Sequence, residues 1–149
     1  MSFMQSQAGK GEYTPKHKEK YAGIRNPVYR SSWELKFMKY LDHAPNVLMW
    51  NSERIGIPYI NPVSKKKATY YPDFYMKVVD KEKNIQTYII EIKPVKETVP
   101  PINSSGKSQK TLIYEHKQWM INVEKWKAAM KYCKLRDYQF KIITEKQLF

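Results

Sequence analysis

Two apolar runs lie near the middle of the chain with five polar residues between them. The first, Thr69–Val79, carries Tyr70, Tyr71, Phe74, Tyr75, Val78 and Val79. The second, Ile85–Lys93, carries Ile85, Thr87, Tyr88, Ile89, Ile90 and Ile92. Runs so rich in aromatic and β-branched residues predict strands, and Asp80-Lys81-Glu82-Lys83-Asn84 predicts the turn of a hairpin. Centred on Glu82, that hairpin sets Asp73 opposite Glu91. Opposed residues share a face, with Cβ atoms about 5 Å apart. Lys93 joins Glu91 on it, because strand side chains alternate. A slip of one residue would put the two acids on opposite faces.

Elsewhere the apolar period lengthens to that of a helix. Ser31–His43 predicts the first: Ser31-Ser32-Trp33-Glu34 has the form of a capping box with Ser31 as N-cap. Trp33, Phe37, Met38, Tyr40 and Leu41 form one apolar arc, and Glu34 projects inside it. Thr111–Lys134 predicts the main helix, with Leu112, Trp119, Met120, Val123, Trp126, Met130 and Cys133 as its core stripe. Its lysines, Lys117, Lys125, Lys127, Lys131 and Lys134, form a solvated or backbone-contacting face. Val47–Trp50 and Arg54–Tyr59 predict one strand or a bent pair, with Gly56 and Pro58 marking an edge or bulge. Tyr138–Ile143 alternates as a last strand, compatible with parallel pairing after a helix, and Thr144–Gln147 opens a short terminal helix. Pro94 to Lys110 is a long loop broken by Pro100 and Pro101, in the position of a flap over Lys93. Residues 1–30 lack a core pattern of their own and form a basic arm before a domain at 31–149, although Tyr13, Tyr21 and Tyr29 can pack part of it onto the domain.

Helices and strands alternating in this order predict an α/β fold with a mixed central sheet flanked by helices. The 149 residues suffice for one domain with a real core, and 42% hydrophobic content excludes a wholly disordered chain. The net charge of +13 favours a polyanionic partner, nucleic acid before an acidic membrane. No apolar run approaches membrane-spanning length, and the N-terminus has no signal-peptide core. Cys133, the only cysteine, excludes an internal disulfide and a cysteine metal cluster and fits a reducing cytoplasm. His17, His43 and His116 show no ligand spacing.

Two opposed acids with an amine beside them are what metal-assisted phosphodiester hydrolysis requires: oxygen donors for a hard divalent cation and a positive group near the phosphate. Asp73 and Glu91 are therefore candidate Mg²⁺ ligands (Mn²⁺ would also serve), with Lys93 as the amine. Glu34 has two readings, a third ligand or a capping-box acid folded back on its helix. Glu91 and Lys93 have a plainer reading too, a surface ion pair, but the isoleucines around them predict a strand covered on both faces. Arg30, the Lys65-Lys66-Lys67 loop, Lys107 and the arm are candidate contacts to DNA backbone. No base-reading motif is present, so binding is expected to follow structure rather than sequence.

Pro72-Asp73 and Glu91-Ile92-Lys93, with Glu34 on the preceding helix, resemble the PD-(D/E)XK nuclease superfamily. The tryptophan-rich helix and Phe140-Lys141-Ile142-Ile143-Thr144-Glu145 resemble the TnsA-type transposase endonucleases. Tyr29–Glu34, Tyr71–Phe74 and Glu91–Pro94 together resemble the head completion nucleases of T-even-like tailed bacteriophages over essentially the whole chain. The resemblance implies a restriction-endonuclease-like fold and a catalytic set of Glu34, Asp73, Glu91 and Lys93. It implies an ion held by Asp73, Glu91, Glu34 and the Ile92 carbonyl, with no small-molecule cofactor. It also implies a virion-assembly role on packaged double-stranded DNA before tail attachment, with contacts to head or portal proteins, in the host cytoplasm or the virion. Two other readings stay open: a non-catalytic DNA-binding adaptor of the virion head, and a nuclease of another context such as a transposase subunit or junction resolvase.

Overall fold

The structure is a computed structural model that describes residues 9–149 apart from Ser105. In chain order the elements are β1 (Gly11–Glu12), β2 (Val28–Tyr29), α1 (Ser32–His43), β3 (Val47–Ser52), β4 (Ile57–Ile60), β5 (Lys67–Tyr70), β6 (Phe74–Val79), β7 (Ile85–Ile92), α2 (Gln109–Arg136), β8 (Gln139–Ile143) and α3 (Glu145–Leu148). The central sheet runs β3-β6-β7-β8. Its first two pairings are antiparallel, and β8 joins β7 in parallel, as a strand returning after a helix can. This is the mixed sheet between helices of a restriction-endonuclease-like fold.

The hairpin has the predicted register. Phe74 pairs with Ile90 and Val79 with Ile85, so extending the ladder one step brings Asp73 to Glu91. The turn holds because the Asp80 carboxylate accepts the amides of Glu82 and Asn84, while Lys83 takes a positive φ of 66°. Alternation along β7 then distributes its apolar residues. Ile90 packs with Phe37, Met38 and Leu41 of α1, whereas Ile89 packs beside Cys133 of α2. Both isoleucines are fully buried, so β7 is the doubly covered strand that its composition predicts.

Several expectations are corrected. Thr69–Val79 is two strands: β5 ends at Tyr70, and Pro72, which has no amide to donate, interrupts the ladder before β6. Val47–Trp50 and Arg54–Tyr59, read as one strand or a bent pair, are two strands in different sheets: β3 joins the central sheet while β4 leaves it to pair with β5 in a separate ribbon. Met120 and Met130 lie outside the buried stripe of α2, exposed by 47% and 53%. That stripe is Trp126, Ala129 and Cys133, and Met120 sits about 120° round the helix from Trp126. Tyr40, placed on the α1 arc, is likewise half exposed, while Trp33, Phe37, Met38 and Leu41 are buried. The main helix is longer than expected at both ends, capped by Ser108 at its start and by Asp137 in left-handed geometry at its end. The terminal helix forms with Thr144 in a full capping box.

The described part of the arm lies against the domain. The Tyr21 ring packs on Trp50 at 4.7 Å between centroids, and the Ala22 amide donates to the Trp50 carbonyl along the outer edge of β3. Covering that edge removes a row of unpaired backbone groups. The Lys20 amine is spent on the Asp42 and Ala44 carbonyls, so this arm lysine is not free for phosphate. Lys10, Lys16, Lys18 and Arg25 remain exposed, and residues 1–8 lie outside the described residues.

Candidate active site

Asp73, Glu91 and Lys93 converge at the end of the β6–β7 hairpin, on the face turned toward α2. Asp73 accepts the Ile92 amide through Oδ2 at 2.7 Å, which fixes its carboxylate across the hairpin. Glu91 is buried. Its Oε1 accepts a hydrogen bond from the Tyr70 hydroxyl at 2.6 Å, and its Oε2 lies 3.7 Å from Lys93 Nζ. Lys93 also stands 3.9 Å from Glu97 in the first turn after the strand.

Glu34 satisfies both of its readings in part. Its own amide donates to the Ser31 hydroxyl, and its Oε1 accepts the Arg30 amide at 3.1 Å, one residue before the N-cap. At the same time its charge reaches the hairpin acids. Burial raises Glu34 above the usual glutamate range, the Arg30 amide opposes this, and Glu53 and Glu91 add to the rise. Asp73 is driven well above its ordinary range by desolvation, then by Glu91 and Glu34, against the Ile92 amide and Lys93. Glu91 is raised by burial, against Tyr70, Lys93 and Lys125. Three acids thus crowd one corner of the fold, each made more willing to keep its proton by the others or by burial.

That crowding suits a divalent cation. The donors are hard carboxylate oxygens, and Mg²⁺ characteristically keeps several waters and takes only one or two carboxylates. Among the described residues no three acids, histidines or cysteines are placed to hold a metal ion together. The arrangement therefore fits an ion held by Asp73 and Glu91, with Glu34 acting through water, better than a site with three direct side-chain ligands.

Two residues of the site are absent from the sequence-based set. Tyr70 reads as one more strand aromatic, yet it is the group that fixes Glu91 Oε1. Burial and the Glu91 charge push its hydroxyl far above the ordinary tyrosine range, so it remains a donor. Lys125 reads as part of a solvated helix face, yet its Nζ lies 5.5 Å from the centre of the Tyr70 ring. The available signal is helical phase: Lys125 directly precedes Trp126 and stands one turn before Ala129, so it flanks the buried stripe instead of opposing it.

The candidate DNA contacts separate into two groups. Arg30 forms a forked pair with Glu53, both hydrogen bonds at 3.0 Å, and Lys107 bonds Glu115 at 2.8 Å and the Ile102 carbonyl at 3.0 Å. Both already have partners. Lys65, Lys66 and Lys67 are exposed on the β4–β5 turn, and β5 runs directly from them to Tyr70.

Residues 44–145 match the family described as TnsA-like endonuclease N terminal. The chain is also similar to the head completion nuclease of Enterobacteria phage T4: 37% identical over 139 residues, spanning 91% of this chain and 90% of that protein. Among the described residues no helix is long and apolar enough to cross a membrane.

Proposed function

The chain belongs to the TnsA-like endonuclease family, and on that footing we propose that it is a Mg²⁺-dependent endonuclease of phage head completion, hydrolysing phosphodiester bonds of packaged double-stranded DNA before tail attachment. The observation that carries this reading is the opposition of Asp73 and Glu91 with Lys93 Nζ at 3.7 Å from the latter. The similarity to a head completion nuclease supports the setting, and the +13 charge supports the substrate.

Asp73 and Glu91 would hold the ion, with the Ile92 carbonyl and, through water, Glu34. When bound, Mg²⁺ or Mn²⁺ supplies a Lewis acid at the phosphate and lowers the pKa of a water. The chain supplies the positioning. The Ile92 amide and the Tyr70 hydroxyl hold one oxygen of each carboxylate, so the remaining lone pairs point in fixed directions. Lys93 Nζ donates to the phosphate or the attacking water and offsets the charge that grows on the phosphoryl oxygens. The Lys65–Lys67 turn holds the backbone of the duplex. Contacts of this kind carry no base information, so cutting is expected to follow DNA structure or ends.

The test is cleavage of linear duplex DNA in Mg²⁺, in EDTA, and by Lys93→Ala, with DNA binding measured in Ca²⁺. Cutting that requires the ion, and that Lys93→Ala loses while still binding, is the expected result. Binding with no cutting of linear, branched or single-stranded DNA would instead support a non-catalytic adaptor of the virion head.

A further inference from the structure

Lys125 is half-buried near Asp73, Glu91 and Lys93, the charged residues at the open end of the β6–β7 hairpin. Its amine lies over the Tyr70 ring, and that ring's hydroxyl bonds Glu91 Oε1; Lys93 stands at Oε2 of the same carboxylate. Glu91 therefore has two lysines acting on its charge, one just past the end of its own strand and one from α2. Asp73 and Glu91 favour the charge of Lys125, while burial and Lys93 oppose it.

Two acids favour the charge of this amine, but among the described residues neither forms an ion pair with it. Arg30 is paired with Glu53, Lys107 with Glu115, and Lys93 lies between Glu91 and Glu97. Among the described residues Lys125 makes no ion pair and no hydrogen bond; its partner is the face of Tyr70. A partly desolvated ammonium held by a ring face alone keeps its N–H donors unspent. Its amine thus sits over the ring whose hydroxyl holds Glu91, beside the acid cluster where the diester must lie if Asp73 and Glu91 bind an ion. A solvated helix lysine would point away from the sheet, as the exposed Lys127 and Lys131 do.

We infer that Lys125 is a second phosphate-binding residue of the active site: its amine donates to a phosphoryl oxygen of the bound strand and stabilises the charge that builds there during cleavage. This deepens the nuclease reading and rests on it. It gives α2, whose other role is to cover the sheet, a direct share in the chemistry, and divides the work between a lysine on the ligand strand and one on the covering helix.

The test compares wild type with Lys125→Met, which keeps an apolar stem of similar length, and Lys125→Arg, which keeps the charge. Duplex binding is followed by fluorescence anisotropy in EDTA over a range of salt, and cleavage in Mg²⁺ by single-turnover kinetics. One phosphate contact accounts for about 0.9 in the slope of log affinity against log salt. Lys125→Met is expected to lose about that much slope and about 100-fold in the single-turnover rate at saturating enzyme, with Lys125→Arg recovering most of both and thermal midpoints unchanged. An unaltered salt slope in Lys125→Met would overturn the assignment. A reduced slope with a full cleavage rate would leave a phosphate contact away from the reacting centre and overturn the catalytic share. A reduced slope in a protein that cuts no DNA even as wild type would overturn the nuclease reading while retaining the contact.

Discussion

Asp42 and Asp73 are displaced in opposite directions, and burial does not decide which way. Asp42, near the end of α1, is fully enclosed, with no measurable exposure. Burial acts to raise it, but the Tyr13 hydroxyl, the Lys16 and His17 amides and the neighbouring His43 together hold it below the usual aspartate range. Asp73 is only partly buried, yet desolvation, Glu91 and Glu34 lift it well above that range against one amide and Lys93. The difference is the supply of donors. An acid with an anchoring role is surrounded until its charge is satisfied. An acid left short of donors beside other acids costs the fold stability, and a bound cation relieves that cost.

The sharpest way to break the contrast is to remove each charge. Asp73→Asn keeps an oxygen for the Ile92 amide and deletes the repulsion. Cleavage is expected to fall by about 1,000-fold or more, while the thermal midpoint in EDTA rises by roughly 3 °C, or about 1 kcal/mol. Adding Mg²⁺ should raise the midpoint of wild type and leave that of Asp73→Asn nearly still, which calorimetry would read directly. A variant that is less stable than wild type in EDTA would remove Asp73 from the class of functional, stability-costing acids.

Asp42→Asn should do the reverse. An amide cannot accept at both of its ends, so one of the Tyr13, Lys16 and His17 donors meets an NH₂ group instead. A loss of about 3 kcal/mol is expected, roughly 10 °C in the midpoint. The rate constant of the folded fraction, measured well below the midpoint, should stay within about threefold of wild type, since the anchor makes no contact with the acid cluster. A large loss of rate in the folded protein would show that the arm and the site are coupled.

Tyr70→Phe tests the contrast from the donor side and is expected to have a smaller effect. Glu91 then keeps Lys93 and Lys125 but loses its one short hydrogen bond. About 2 kcal/mol of stability should go with it, as for a hydrogen bond to a charged group. The cleavage rate should fall about tenfold as the carboxylate loses its fixed direction. A rate equal to wild type would show that backbone geometry alone orients Glu91.

What could be read along the chain follows the range of the forces involved. The hairpin register was legible because turn chemistry and alternation are local, and Asp80 closes its own turn within four residues. The N-cap at Ser31 and the helix start at Thr144 were legible for the same reason. The double covering of β7 could be inferred from its unbroken isoleucines. The break at Pro72 was a proline signal outweighed by the apolar residues around it. Asp42 was not legible, because its donors come from 25 to 29 residues earlier in the chain. Neither was the Arg30–Glu53 fork, nor the place of Lys125, which depends on how α2 is rotated against the sheet. Of the site, the strand residues were visible in advance, and the groups that other elements bring to them were not.

The smallest effects expected lie in pH, and they separate the two aspartates most cleanly. Asp42 has a folded pKa below its unfolded value of about 3.9. Its stabilising contribution is therefore complete above that value and is lost as pH falls from it toward the folded value. Asp73 has a folded pKa above the same reference. Its penalty is absent when both states are protonated, below about 3.9, and grows as pH rises through the folded value. The gap in midpoint between wild type and Asp42→Asn should thus be constant from neutral pH down to about pH 4 and narrow only below it. The gap for Asp73→Asn should have the opposite sign, be largest at the high end of the range, and close as pH falls to about 4. Melting curves of the three proteins in EDTA from pH 3 to 8 read both windows in one experiment. Gaps that close over the same interval would mean that the two acids do not differ in the way their surroundings require, and the link drawn between a shortage of donors and function would lose its support.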